Sequence, residues 1–168
     1  MNNLEWEDNL KLQIPRLRRY ACALLQDVSS ADDLVQDCLE RAWDKRDSWI
    51  EGSNLRAWLF TIMHNLFING VRRNKLQQSY LELANNPSLS TDTEQNFVLH
   101  DLESCLAKLK PEFREVVLLA GLECLSYKEI SEVTGVPMGT VMSRLSRGRE
   151  ELRQLMSGET KPQLVCVK

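Results

Sequence analysis

Ser126-Tyr127-Lys128-Glu129-Ile130-Ser131-Glu132-Val133-Thr134-Gly135-Val136-Pro137-Met138-Gly139-Thr140-Val141-Met142-Ser143-Arg144-Leu145 is the stretch on which the fold turns. Ser126 and Glu129 stand at capping-box spacing, which opens a short helix ending at Gly135. A helix-turn-helix needs a small residue where its helices cross, a glycine for the left-handed turn, and apolar residues just beyond. Ser131, Gly135, Val136 and Val141 meet those demands in order. The second helix runs from about Pro137 to Met156. Val141, Leu145, Gly148, Leu152 and Leu155 step along it by four, three, four and three, as one buried stripe. Thr140, Ser143, Arg144 and Arg147 occupy another face, and hydroxyl and guanidinium groups so spaced suit major-groove edges and phosphates. A plain helical hairpin with an arginine-rich face is the weaker alternative.

Outward from this segment the chain is of ordinary soluble composition. It has 168 residues, 43 % hydrophobic and 27 % charged, with 21 basic and 24 acidic side chains for a net charge of −3. The near-balance hides three blocks. Leu10 to Gln26 carries Lys11, Arg16, Arg18 and Arg19 without an acid, and Asn54 to Gln78 carries Arg56, Arg72, Arg73 and Lys75 without one. Between them lie eight acids, Asp27, Asp32, Asp33, Asp37, Glu40, Asp44, Asp47 and Glu51. Such alternation points to one basic partner and one polyanion, against the plainer account of solvated helix faces.

Several classes are excluded on chemistry. The start of the chain has neither the basic nor the apolar part of a secretory signal, and no run is long enough for a membrane span, so no membrane insertion is expected. Five scattered cysteines without a Cys-x-x-Cys pair suit a reducing cytoplasm. His64 and His100 are the two histidines and sit in no metal-binding spacing; His64 reads as a solvated or DNA-proximal helix residue. With no phosphate loop or nucleophile elbow either, no metal, no cofactor and no enzymatic activity are expected. Cys38 and Cys124 fall in apolar patterns and read as core residues.

The periodicity is helical throughout. Ile14-Pro15 reads as a helix start, followed by Leu17, Tyr20, Ala21, Leu24 and Leu25. Ser30-x-x-Asp33 reads as a variant cap before the stripe Leu34, Val35, Cys38, Leu39, Ala42 and Trp43, with Asp33, Gln36, Asp37 and Glu40 opposite. Ser48 to Ser53 is a loop, and Ser53 or Asn54 caps a long helix to about Lys75. On that helix Thr61, Asn65 and Arg72 fall within about 40° of one another, with Trp58 beside them. An acid-free face with arginine, amide and aromatic groups suits unpaired DNA, although Trp58 fits a core position equally. The expected architecture is all-α: a first helical domain over 1–77, a flexible linker over 78–96, a second helical domain with the helix-turn-helix over 97–156, and a mobile tail over 157–168.

Two motifs together resemble a known family. Ala31-Asp32-Asp33-Leu34-Val35-Gln36-Asp37-Cys38-Leu39-Glu40-Arg41-Ala42-Trp43 and Leu55-Arg56-Ala57-Trp58-Leu59-Phe60-Thr61-Ile62 resemble the first module of extracytoplasmic-function (ECF) sigma factors of the sigma-70 superfamily. Leu125 to Ser131, Gly139-Thr140-Val141 and Ser143-Arg144-Leu145 resemble the second. The likeness spans about Ile14 to Leu155. It implies a promoter-recognition subunit of bacterial RNA polymerase that starts transcription of a stress- or signal-responsive regulon. Asp33, Gln36, Asp37 and Glu40 would grip the clamp helices of the largest subunit of core polymerase. Trp58, Thr61, Asn65, Arg72 and Arg73, with the loop 48–53, would open and bind the −10 promoter element. Pro137, Gly139, Thr140, Ser143, Arg144 and Arg147 would read the −35 element, with Met142 and Ser146 standing where the family often has arginine and a bulkier residue. The linker would thread the polymerase channel that later holds RNA, and an anti-sigma factor is an expected partner.

Two other readings compete. A sigma-like interaction protein would sequester an anti-sigma factor without touching DNA; such proteins usually carry a receiver domain and have little need of acid-poor arginine faces. A plain helix-turn-helix regulator accounts for the second module and leaves the first without a task.

Overall fold

The computed structural model describes residues 3–81 and 97–157, with side chains over 5–71 and 102–157. Among the described residues seven helices follow one another: α1 (Asn3–Leu25), α2 (Val28–Asp44), α3 (Leu55–Leu81), α4 (Phe97–Lys108), α5 (Pro111–Gly121), α6 (Tyr127–Thr134) and α7 (Met138–Ser157), with a 3-10 turn at Arg46–Ser48. No strand occurs among the described residues.

The first three helices form one module around an apolar stripe from each. Leu17, Tyr20, Ala21 and Leu24 of α1 meet Ala31, Leu34, Val35, Cys38 and Ala42 of α2 and Leu59, Phe60, Met63 and Phe67 of α3. Tyr20 and Phe60 meet edge-on at 5.0 Å, a geometry that aromatic quadrupoles favour. In the second module Val116, Leu119, Ile130, Val133, Val141 and Leu145 are buried. Each such side chain contributes on the order of 1.5–3 kcal/mol by leaving water.

Four local expectations need correction. Pro15 does not open a helix but lies inside α1. Upstream of it Leu10 continues the buried stripe and Trp6 is buried against other indoles, and their burial offsets the hydrogen bond that an interior proline removes. The cap of α2 is Asp27, not Ser30: its carboxylate accepts from the Ser30 backbone N–H at 2.8 Å, which starts the helix at Val28. Trp43 is not in the core stripe; it is 37 % exposed with the Arg46 guanidinium 5.3 Å over its ring. Finally α3 continues to Leu81, because Leu76 to Leu81 contains no glycine or proline to stop it. The first four residues of the expected linker 78–96 are therefore helical, and 82–96 lie outside the described residues, as does the tail from 158.

The two modules do not merely share a tether. α5 and α4 pack on α1, and α6 packs on α3, so that buried side chains of both modules join one cluster.

Candidate functional site

The helix-turn-helix is built as its residue types demand. Ser126 Oγ accepts from the Glu129 N–H while a Glu129 carboxylate oxygen accepts from the Ser126 N–H at 2.8 Å, the reciprocal capping box. These bonds hold the Glu129 carboxyl below the usual carboxylate range, the Ser126 backbone bond contributing most. Gly135 takes φ +67°, the left-handed conformation in which a side chain would be strained. Ser131 Oγ donates to the Val136 carbonyl at 2.6 Å and pins the turn against the first helix. On α7, Val141, Leu145 and Gly148 face inward. Gly148 is packed so closely that a Cβ there would sit 2.8 Å from Cγ2 of Val117 and 3.3 Å from the Phe113 carbonyl oxygen.

The opposite side of α7 is open to a ligand. Pro137, Gly139, Ser143 and Arg147 are exposed, and Thr140 and Arg144 are half-buried along one flank. Met138 and Met142, nearly half exposed, lie along the other. The Ser143 hydroxyl donates to the Thr140 carbonyl at 3.0 Å on this exposed face. Further along, Arg153 is engaged bidentately by Glu150, at 2.8 and 3.1 Å, so its charge is offset within the helix. Positive charge is thus concentrated at the N-terminal half, beside the turn.

Helix α2 presents the acidic surface. Asp33, Gln36, Asp37 and Glu40 are all exposed, opposite the buried Leu34, Val35 and Cys38. Gln36 donates to Glu40 at 3.0 Å, which orders the far end of the face. Asp33 and Asp37 border a groove of about 430 Å³ floored by Leu34, Leu66 and Phe67.

Helix α3 carries the remaining set, and the structure divides it. Asn54 caps the helix, its side-chain oxygen accepting from the Ala57 N–H at 3.2 Å. Asn65 is exposed. Thr61 is half-buried and its hydroxyl donates to the Ala57 carbonyl at 2.9 Å. Trp58 packs against the core and lies 5.9 Å from the Trp6 ring, so it faces inward more than outward. Arg72 and Arg73 belong to α3, and their side chains lie outside the described residues.

What sequence reasoning missed is the seam between the modules. His64, expected at a solvated or DNA-facing position, is 13 % exposed and bonds through Nδ1 to Glu115 at 2.5 Å. Glu123 is 1 % exposed and sits 3.2 Å from Arg19 and 3.8 Å from Arg16. The Arg114 guanidinium donates to Leu106, Ala107 and Leu109 carbonyls in its own module and to Leu24 at the end of α1, at 2.6 to 3.1 Å. Asn54 donates to Glu129 at 2.6 Å, which ties the cap of α3 to the capping box of α6. Burial, with the charges of Glu115 and Glu123 nearby, pushes the Tyr20 hydroxyl well above its ordinary range. The available signal was two glutamates set among apolar neighbours, Glu115 before Val116-Val117-Leu118-Leu119 and Glu123 after Leu122.

Comparison with known proteins adds the family context. Residues 10–64 match the family described as the Sigma2 domain of PhyR, and residues 99–152 match Sigma-70, region 4. The chain is 34 % identical over 151 residues to the ECF RNA polymerase sigma factor EcfG of Rhodopseudomonas palustris, covering 89 % of this chain and 83 % of that one. It is 30 % identical to the RNA polymerase sigma factor YlaC of Bacillus subtilis, covering 90 % and 91 % respectively. Among solved structures it resembles the sigma factor RpoE in complex with the anti-sigma factor NepR from Bartonella quintana, with a TM-score of 0.81 at 34 % identity, over 93 % of this chain and 99 % of that one.

Proposed function

Because the chain belongs to the ECF RNA polymerase sigma factors, we propose that each exposed face described above meets one component of a transcription initiation complex. The acid–amide face Asp33, Gln36, Asp37 and Glu40 docks core polymerase on the clamp helices of its largest subunit. The loop 48–53 with Thr61, Asn65, Arg72 and Arg73 of α3 handles the opened −10 element, Trp58 supporting that face from behind. The N-terminal half of α7, with Pro137, Gly139, Thr140, Ser143, Arg144 and Arg147, reads the −35 element. The boundaries taken with these roles are a first domain ending near Leu81 and a second from Phe97 to Met156.

The observation that carries this reading is the coexistence, in one chain, of a helix-turn-helix with an open recognition face and a separate helix whose four acid and amide groups are all exposed. A DNA-binding regulator needs the first and has no use for the second. The polymerase supplies the chemistry of RNA synthesis; the sigma factor supplies recognition.

The docked arrangement is incompatible with promoter reading. Elements centred near −10 and −35 lie about 25 base pairs apart, on the order of 80 Å of duplex at about 3.4 Å per base pair. A chain in which His64 touches Glu115 cannot span that distance. Residues 82–96, extended, reach about 50 Å, so separation of the modules brings both elements within range. The Bartonella quintana relative is held by an anti-sigma factor, and its likeness runs across both modules of this chain. The docked form is therefore the state an anti-sigma partner holds, and core polymerase draws the modules apart.

The test is reconstitution with core polymerase. Run-off transcription on genomic DNA should yield discrete start sites, and Asp33→Lys with Asp37→Lys should abolish co-purification with core, a like-charge mismatch costing several kcal/mol, on the order of 3–5. A chain that bound an anti-sigma factor but gave no run-off product would instead be a sigma-like decoy.

A further inference from the structure

Trp6 is buried to 4 % exposure, yet it lies outside the continuous core that α1 otherwise builds with α2 and α3. Its ring packs instead on two other indoles, Trp49 at 5.3 Å and Trp58 at 5.9 Å. The loop expected over 48–53 lies at 49–54, because Ser48 ends the 3-10 turn and α3 starts at Leu55; Trp49 begins it, and Ile50, Glu51, Gly52, Ser53 and Asn54 are exposed. Ile50 is 76 % exposed, so Trp49 is the apolar anchor at that end of the loop. Trp58 stands on the first turns of α3, at the other end. Neither Trp6 nor Trp49 donates its indole N–H to a described residue, so ring packing and not hydrogen bonding holds the cluster. The region that matches the family begins at residue 10, after Trp6.

We propose that Trp6 is a positioning residue for the −10 loop: a side chain upstream of the family-matched region wedges between both ends of loop 49–54 and fixes the shape in which it receives DNA. The idea rests on the assignment of that loop and of α3 to the −10 element. Within the loop the Ser53 N–H donates to the Ile50 carbonyl at 3.0 Å around a left-handed glycine (Gly52, φ +86°). Asn54 at its end bonds Ala57 and, across the seam, Glu129, so the apolar anchoring of its start falls to Trp49. Aromatic wedging from a neighbouring helix supports that anchoring without covering the exposed residues.

The experiment uses holoenzyme assembled from core polymerase and full-length variants, with run-off yield and permanganate reactivity read on duplex and pre-melted −10 templates. Trp6→Ala should lower duplex run-off by about tenfold, the scale on which losing two aromatic contacts loosens a fixed geometry. The pre-melted template should restore most of that loss, and core binding should stay unchanged. Trp6→Phe should retain most of the wild-type yield, since it keeps an aromatic ring at the wedge, losing part of the indole's volume and an N–H without an acceptor. Trp49→Ala should show the same kind of defect, and the double variant should be no worse than Trp6→Ala alone, the mark of two residues acting through a shared contact. If Trp6→Ala fails to fold, Trp6→Leu takes its place, retaining apolar volume without the ring. Equal losses on both templates, additive losses in the double variant, or no loss at all would overturn the proposal. Asn65→Ala run in parallel separates the two layers: if it too opens DNA normally, the −10 assignment fails, and if it alone is defective, the role of Trp6 fails.

Discussion

His64 on α3 and Glu115 on α5 meet at 2.5 Å across the seam between the modules, the glutamate side chain 2 % exposed and the histidine 13 %. With Glu123 between Arg16 and Arg19, this makes the seam a place where acids of the second module reach groups of the first. Removing one partner of a buried pair leaves the other unsatisfied, which typically costs about 3–5 kcal/mol, and less where the partner is exposed. Glu115→Ala with Glu123→Ala should therefore shift the free chain toward separated modules. Small-angle scattering should give a larger radius of gyration, with each module's helicity kept. An unchanged radius would mean that other contacts hold the seam.

Gly148 allows α5 and α7 to approach closely. Gly148→Ala would press a methyl onto Val117 and onto the fixed Phe113 backbone, so the helices must shift. Overpacking of this kind costs about 1–3 kcal/mol. Thermal denaturation should show a Tm several degrees lower, with weaker −35 docking because α7 is displaced. Wild-type stability would contradict the packing.

Recognition and opening should separate by template. Asn65→Ala with Arg72→Ala should reduce strand separation, losing roughly 1–3 kcal/mol of contacts to bases and phosphates, and a pre-melted −10 bubble should rescue it. Arg144→Ala with Arg147→Ala should weaken docking on the −35 duplex, and the bubble should help it much less. Equal rescue of both would refute the division between α3 and α7.

The cysteines should differ in reactivity. Burial pushes the Cys38 thiol up to about 12, and its Sγ lies 3.5 Å from the Leu59 carbonyl, whereas Cys124 is exposed on a turn at φ +52°. Thiolate is the reactive form, so iodoacetamide should label Cys124 well before Cys38, which should react only on unfolding, as read by mass spectrometry. Early labelling of Cys38 would reveal a breathing core.

Acid should act on the cap of α6. The Glu129 carboxyl is held below its ordinary 4.5, chiefly by the Ser126 N–H and hydroxyl and further by Asn54. A carboxyl depressed in the native state stabilises it above the unfolded value, and that contribution is lost as pH falls through the native value. Melting curves between pH 5 and pH 3 should thus fall more steeply for wild type than for Glu129→Gln. Parallel curves would remove Glu129 from the account.

Residues that act through their own helix were legible, and residues that act across the chain were not. Asp33, Gln36, Asp37 and Glu40 are exposed as their spacing requires, because a stripe every three or four residues dictates which face turns to water. Gly135 and the Ser126 box were legible for the same reason, since turn and cap geometry is local. Trp58 was ambiguous because its inward neighbour, Trp6, lies 52 positions upstream, beyond a proline that reads as a helix start. Cys124 and His64 were misread because neither the turn at Cys124 nor the Glu115 carboxylate is encoded near them. Charge blocks revealed that the chain has partners, but not that its own second module is one.

Opening this seam has a solubility consequence. Parting a buried interface presents hydrocarbon that adheres to other chains, and the apolar cluster shared by the two modules is no exception. Here separation hands the Glu115 and Glu123 carboxylates, His64 and two arginines to water, which hydrates them readily. Arg114 gives up the Leu24 carbonyl and keeps three others within its own module. The polar part of the newly bared surface is thus compatible with solvent, and it dilutes the hydrocarbon that the shared apolar cluster would expose on separation.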